Sequence, residues 1–262
     1  MKKIYLALSI LCFFLFQNLK AQVFSGSNGI IYAVTSQGEL RSYRDLNYPY
    51  GSDQYEMRVI GNAGWTQFKH VFSGGEGIIY AVTDDGKLIW YKFRDYMNGS
   101  DQYQMKEIGN AGWTQFTHVF AGGEGIIYAV TADGKLIWYK YKDYLNGSDQ
   151  YEMKEIGNAG WTQFTSLSSG GNGIIYAVTA DGQLLWYKYR DHLTGSDQYQ
   201  MKVIGDAGWN QFSRVFAGGE GIIYAIDNNG NLRFYRYEDH LNGALQNTFK
   251  EMGIVEWAQF QK

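Results

Sequence analysis

The sequence Gly-Asn-Ala-Gly-Trp-Thr-Gln-Phe occupies residues 61–68 and returns unchanged at residues 109–116 and 157–164. A fourth copy at residues 205–212 differs at two positions, and a fifth at residues 253–260 keeps the first glycine, the tryptophan and the final Gln-Phe. The tryptophans stand 48 residues apart without an insertion: Trp65, Trp113, Trp161, Trp209 and Trp257. A fixed period of this length is typical of repeat architectures. The chain is therefore predicted to contain five copies of one unit.

Outward from these tryptophans, the repeat covers nearly the whole chain. Residues 23–262 amount to 240 residues, which is five units of 48 with none left over. We place the units at residues 23–70, 71–118, 119–166, 167–214 and 215–262. Together with residue 22 they are predicted to form a single domain.

The N-terminal 21 residues stand apart from the repeat. Lys2 and Lys3 precede an apolar run over residues 4–16, and Ala21 offers a small residue for cleavage. This pattern predicts a secretory signal peptide at residues 1–21. The run is too short for a membrane span, which needs about 20 apolar residues. We expect the protein to be secreted, periplasmic or held at the cell surface after cleavage.

The composition favours an all-β fold. Glycine occurs 33 times and proline once, and 17% of the residues are aromatic. Glycine weakens helices, whereas short strands with aromatic side chains joined by glycine turns suit this inventory. In the second unit we predict four strands, at residues 66–72, 77–82, 88–93 and 104–108, and the second is apolar throughout, as in a strand covered on both faces.

Radial arrays of about four to eight four-stranded sheets form β-propellers. We therefore predict a five-bladed β-propeller in which each blade is a four-stranded antiparallel sheet made from one 48-residue repeat. Residues 259–262 and residues 23–24 correspond to two parts of the first strand of a unit, so the two ends are predicted to close the ring in one strand.

The net charge and the cysteine content limit what the mature chain can bind and which covalent links it can form. The chain holds 23 basic and 26 acidic residues, and loss of Lys2, Lys3 and Lys20 with the signal peptide leaves 20 against 26, a net charge of −6. Nucleic acid is not an expected partner, because binding phosphates requires a basic face. The single cysteine, Cys12, lies in the signal peptide, so the mature chain can form no disulfide. We expect no cofactor, no metal and no membrane span.

Two recurring segments could carry function. The longest connection in each unit joins the third and fourth strands and ends in Gly-Ser-Asp-Gln-Tyr at residues 51–55, 99–103, 147–151 and 195–199. Long loops on rigid scaffolds are where binding groups collect. Carboxylate, amide and aromatic groups together can bind a sugar, which presents hydroxyls and an apolar CH face. The alternative is structural: the aspartate caps a turn, the glutamine bonds to backbone and the tyrosine packs on a blade.

These motifs, with Ile-Ile-Tyr-Ala-Val in the second strand, resemble the repeat of tachylectin, a five-bladed propeller lectin. The resemblance implies pockets between neighbouring blades that bind N-acetylated amino sugars such as N-acetylglucosamine or N-acetylgalactosamine. It places residues 101–103 near a sugar with a connecting segment such as residues 110–113. We expect the tryptophans to act mainly as wedges between blades. The candidate sugar-binding residues are Asp53, Gln54, Tyr55, Asn62, Trp65, Asp101, Gln102, Tyr103, Asn110, Trp113, Asp149, Gln150, Tyr151, Asn158, Trp161, Asp197, Gln198, Tyr199, Asp206 and Trp209.

The fifth unit departs from the pattern at both segments. It reads Ala-Leu-Gln-Asn at residues 244–247 and Ile-Val-Glu at residues 254–256. We therefore predict four competent loops and a weak or absent site in the fifth blade. Ser42 replaces the third-strand tryptophan in the first unit, which predicts less aromatic cover at one site.

The repetition itself favours a lectin with several weak, equivalent sites on one monomer. An enzyme would need one unlike polar cluster, and the sequence contains no P-loop, Gly-x-Ser-x-Gly elbow or calcium-loop motif. The alternative to a lectin is a propeller that binds a protein partner. That function would use copy-specific surface residues such as residues 47–50.

Overall fold

A computed structural model describes residues 21–253 and 256–260, and all structural statements below concern these residues. Apart from Ala21, the predicted signal peptide lies outside them. Five four-stranded antiparallel sheets form five blades. Blade 1 contains β1 (Gln22–Ser25), β2 (Ile30–Val34), β3 (Leu40–Asp45) and β4 (Tyr55–Gly61). Blade 2 contains β5 (Phe68–Gly75), β6 (Ile78–Thr83), β7 (Leu88–Phe93) and β8 (Tyr103–Gly109).

The remaining blades follow the same plan. Blade 3 contains β9 (His118–Gly123), β10 (Ile126–Val130), β11 (Leu136–Tyr141) and β12 (Tyr151–Gly157). Blade 4 contains β13 (Ser166–Gly171), β14 (Ile174–Val178), β15 (Leu184–Tyr189) and β16 (Tyr199–Gly205). Blade 5 contains β17 (Arg214–Gly219), β18 (Ile222–Ile226), β19 (Leu232–Tyr237) and β20 (Asn247–Met252). The predicted five-bladed β-propeller is confirmed.

Short 3₁₀ helices connect the strands within and between blades. Those between blades cover Trp65–Gln67, Trp113–Gln115, Trp161–Gln163, Trp209–Gln211 and Glu256–Phe260. Those between the third and fourth strands cover Tyr96–Asn98, Tyr144–Asn146, His192–Thr194 and His240–Asn242. The predicted start of a strand at Thr66 is therefore wrong, because this residue belongs to a 3₁₀ turn and the strand begins at Phe68.

The second strand of each blade is the best-buried element. In β2, β10, β14 and β18 every residue is buried. This confirms the expectation for an apolar strand without alternation, since neighbouring blades cover both of its faces. The first strands surround a central cavity of about 870 Å³.

The hydrophobic core is divided into five clusters, and each joins one blade to the next. Each cluster contains one of the repeated tryptophans: Trp65, Trp113, Trp161, Trp209 and Trp257. The cluster around Trp257 joins Phe216 and Tyr224 of blade 5 to Ile31 and Tyr43 of blade 1. Blades 5 and 1 therefore pack like every other neighbouring pair, and the ring is closed.

The closure differs from the predicted shared strand. Gln259 and Phe260 lie in a 3₁₀ helix, and the counterparts of Gln259 in other units, such as Gln67 and Gln115, do so as well. Residues 261 and 262 lie outside the described residues. The C-terminal segment is held by packing, with the rings of Tyr43 and Trp257 4.8 Å apart. The guanidinium of Arg214 links the two ends of the described chain by donating hydrogen bonds to the carbonyls of Phe260, at 3.1 Å, and Ala21, at 2.6 Å.

Candidate functional site

The connection from blade 3 to blade 4 is built around Trp161. Only glycine fits at position 157, because a Cβ there would lie 2.4 Å from the indole Nε1 of Trp161. Gly160 has a φ of 122°, which side-chain-bearing residues rarely adopt, and it starts the 3₁₀ turn that carries the tryptophan. The indole is 6% exposed and packs between the blades. It thereby fixes the exposed Asn158 at the surface of the interface.

A series of tilted and edge-on aromatic ring contacts runs from this tryptophan to the outer loop of blade 4. The ring centroids of Trp161 and Tyr187 are 5.0 Å apart, and those of Tyr187 and Tyr199 are 5.4 Å apart. Tyr189 packs on Tyr199 at 5.3 Å. The side chain of Tyr199 remains 51% exposed. The series of ring contacts therefore ends in a half-exposed tyrosine that buried rings support.

The neighbouring loop orients a carboxylate. The side-chain amide of Gln198 donates to Oδ1 of Asp197 at 3.0 Å. The backbone of Gln198 is fixed as well, because its carbonyl accepts from the N–H of Arg190 at 2.8 Å and its own N–H donates to Ser196 Oγ at 3.1 Å. The same amide-to-carboxylate bond recurs at Asp101 and Asp149. The glutamine thus has a structural role and positions the exposed aspartate.

These groups meet in one cavity of about 270 Å³ between blades 3 and 4, which we call the 3/4 cleft. Asn158 and Trp161 come from the connection after blade 3, while Asp197 and Tyr199 come from the loop of blade 4. Glu155, at the end of β12, also lines the cavity and was missed by the sequence analysis. The sequence held one signal for this residue, which is that its repeat position carries an acidic side chain in some units and an apolar one in others. The five equivalent residues are Val59, Glu107, Glu155, Val203 and Glu251.

The same series of aromatic ring contacts repeats at the earlier interfaces and fixes which segments face each other. Trp65 packs on Tyr91 at 4.9 Å, and Tyr91 on Tyr103 at 5.3 Å, which defines the 1/2 cleft. Trp113 packs on Tyr139, and Tyr139 on Tyr151, which defines the 2/3 cleft. The predicted pairing of residues 101–103 with residues 110–113 is therefore wrong. The connection crosses to the following blade, so residues 101–103 face residues 62–65, and residues 110–113 face residues 149–151.

Residues 16–154 and 144–262 match the family model of tachylectin. The chain belongs to the tachylectin family. The search of curated proteins found no match to this chain. Solved structures similar to it include a symmetrical protein described for its de novo evolutionary emergence under folding constraints, with 22% identity, 88% of this chain and 95% of that chain covered, and a TM-score of 0.62.

A second similar structure is Prp20p from Saccharomyces cerevisiae. It shows 13% identity over 90% of this chain and 63% of its own, with a TM-score of 0.44. The first of these two likenesses shows the fold alone. Within the part of the chain that the structure describes, no helix has the length and apolar character needed to cross a membrane.

The changes in the fifth unit fall on two different clefts. The 4/5 cleft retains Asp206 and Trp209, but residues 244–247 of blade 5 lack the Asp and Tyr of the repeat. The 5/1 cleft retains Asp53 and the ring of Tyr55, which packs on Tyr43 at 5.6 Å. Its connecting segment, residues 254–256, lacks the Asn-Ala-Gly sequence. Four complete loops therefore yield three clefts in which both halves are complete: 1/2, 2/3 and 3/4.

The third-strand tryptophans have a supporting role. A Cβ on Gly147 would lie 2.7 Å from Trp90, so the loop of one blade rests on the tryptophan of the blade before it. Trp138 also donates through its Nε1 to the carbonyl of His192, at 3.0 Å. In blade 1, where Ser42 replaces tryptophan, the loop glycine Gly99 rests on Arg58 instead. The expected loss of aromatic cover at Ser42 is therefore wrong, because these indoles lie beneath the loops.

The tyrosines between the wedges and the exposed rings stay neutral. Burial raises the pKa of Tyr91 and of Tyr139 to about 12, and the neighbouring Tyr103 and Tyr151 contribute to the shift. Burial also raises the pKa of Tyr187. The clefts therefore offer carboxylate and amide oxygens beside uncharged aromatic rings.

Proposed function

We propose that this tachylectin-family propeller is a secreted lectin that binds N-acetylated amino sugars, such as N-acetylglucosamine or N-acetylgalactosamine, in its complete clefts. The observation that carries the proposal is the 3/4 cleft. Two motifs that begin 39 residues apart in sequence line one cavity of about 270 Å³, to which they contribute Asn158, Trp161, Asp197 and Tyr199. Family membership supports the same function.

Each group has a defined part in this proposal. The Asp197 carboxylate accepts hydrogen bonds from sugar hydroxyls, and the Gln198 amide holds it in place. The amide of Asn158 can both donate and accept, which matches an acetamido group. The exposed face of Tyr199 covers the apolar face of the sugar ring. Each of these groups has a role in binding and none has a role in catalysis. We therefore propose that the protein binds sugars and is not an enzyme.

Several weak sites on one chain can together bind a repetitive surface strongly. A single sugar site with a Kd of about 1 mM contributes only about 4 kcal/mol. Linked sites can raise the overall strength by about 100-fold to 10,000-fold when the geometry permits joint engagement. We propose that a monomer uses its three complete clefts in this way on a repetitive glycan surface.

A glycan array with free N-acetylglucosamine as competitor tests the proposal. We expect the protein to bind arrayed glycans that end in N-acetylated amino sugars, and the free sugar to displace it. Failure to bind any glycan would contradict the proposal and would favour a propeller that docks a protein partner.

A further inference from the structure

The complete clefts differ from each other at one repeat position. In the 3/4 cleft this position is Glu155, which lines the cavity together with Asp197. The equivalent residue is Glu107 in the 2/3 cleft and Val59 in the 1/2 cleft. Two of the three clefts thus carry a second carboxylate, while the third carries an exposed apolar side chain at the same place.

The second carboxylate is available to a ligand. Lys135 Nζ lies 3.0 Å from Glu155 Oε2, and Lys87 Nζ lies 3.0 Å from Glu107 Oε2. Both pairs are solvent-exposed, and exposed ion pairs contribute little to stability. A positively charged ligand group can therefore displace the lysine from the glutamate at small cost. Among the residues that line the 3/4 cleft, the charged ones are Glu155 and Asp197, both acidic.

An amino sugar carries a positive charge when its amine is free. Removal of the N-acetyl group leaves an ammonium with three donors, and two carboxylates in one cleft supply charged acceptors for them. An acetamido group has no charge and carries a methyl group, which suits an apolar neighbour such as Val59 better than a carboxylate. The difference between clefts therefore corresponds to the difference between the deacetylated and acetylated forms of one sugar.

We propose that the 2/3 and 3/4 clefts, besides the acetylated sugar, also bind the protonated amine of deacetylated amino sugars, while the 1/2 cleft binds the acetylated form alone. The ligand class is a partly N-deacetylated amino-sugar polymer. This inference rests on the proposed lectin function and extends it to a cationic ligand.

The test compares two tetramers by calorimetry, one of N-acetylglucosamine (the acetylated tetramer) and one of glucosamine (the deacetylated tetramer). It is run at about pH 6, where an amine of this kind is protonated, and at two salt concentrations. The variants are the double change Glu107→Gln with Glu155→Gln, and Val59→Glu. Glu152→Gln is the matched control, because Glu152 lies on β12 three residues before Glu155 and hence on the other face of the sheet.

We expect the wild-type protein to bind the deacetylated tetramer in about two clefts, and more weakly as salt rises. The double variant should lose at least about tenfold in affinity for it, since a charge-assisted hydrogen bond is removed from each cleft. Affinity for the acetylated tetramer should persist, which shows that the variant is folded. Val59→Glu should add a binding site for the deacetylated tetramer, and Glu152→Gln should change neither ligand.

Three outcomes would overturn the inference. If the wild-type protein bound the acetylated tetramer alone, the cationic ligand would be excluded while the lectin function stood. If the double variant bound the deacetylated tetramer as strongly as the wild type, the glutamates would have no part in recognition. If neither tetramer bound, the lectin proposal and this inference would both fail.

Discussion

Removing the cleft aspartates one at a time should lower the number of sugar sites in steps. Asp101, Asp149 and Asp197 belong to clefts whose connecting segment is complete, whereas the segment that corresponds to Asp53, residues 254–256, lacks Asn-Ala-Gly in its sequence. A hydrogen bond to a charged group contributes about 1.5 to 3 kcal/mol. At about 1.4 kcal/mol per factor of ten, its loss weakens a cleft by roughly 10-fold to 150-fold. A site with a Kd of about 1 mM would then bind too weakly to be counted.

Calorimetry with N-acetylglucosamine measures the stoichiometry directly. We expect three sites in the wild-type protein, two after Asp197→Ala, one after the further change Asp149→Ala, and none after all three aspartates are changed. Asp53→Ala is the matched control and should leave three sites. Four or five sites in the wild type, or loss of a site on changing Asp53, would refute the assignment of complete and incomplete clefts. An unchanged melting temperature in each variant would show that the ring remains folded.

Three further predictions concern the scaffold. Changing the buried Trp257 to alanine should cost about 3 to 5 kcal/mol, as expected for a core tryptophan, and lower Tm by roughly 6 to 20 °C. A much smaller loss than for Trp161→Ala would contradict ring closure. Gly157→Ala should remove one sugar site in calorimetry, because its Cβ would lie 2.4 Å from the indole of Trp161, and an intact 3/4 cleft would count against that role. Burial, with the positive charges of Lys69 and His118, lowers the pKa of His70 to about 4. Stability should therefore fall as pH drops from about 6.5 to 4, where the unfolded chain takes up the proton first. The variant His70→Gln introduces the amino acid that stands 48 residues earlier, at Gln22. It should lose less unfolding free energy than the wild type over this pH range in chemical denaturation, and an equal loss would contradict the assignment to His70.

The repeat made the fold predictable because each unit encodes the same four strands. The interval between the tryptophans gave the number of blades, and the uninterrupted apolar character of the second strand gave its burial. The start of the first strand at Phe68 was harder to predict. Thr66 and Gln67 suit a strand as well as a turn, and Gly64, with a φ of 121°, directs the chain into the 3₁₀ turn.

The composition of the candidate site was visible in sequence, but its assembly was not. Repetition shows that Asp101 and Asn110 recur together, yet it cannot show whether they face each other. That depends on the connection crossing to the next blade, where Trp65 packs on Tyr91. The same offset explains why changes in one unit affect two clefts. Glu155 escaped notice because a variable position in a repeat looks like an unconstrained surface until the cavity is seen.

A crystal structure of the protein with N-acetylglucosamine tests the central claim most directly. We predict sugar in the 1/2, 2/3 and 3/4 clefts, with its hydroxyls on the aspartate and its ring on the tyrosine of each loop. The 4/5 and 5/1 clefts should be free of sugar. Sugar bound in the central cavity, or in clefts formed by the fifth unit while the three complete clefts stay empty, would contradict the account.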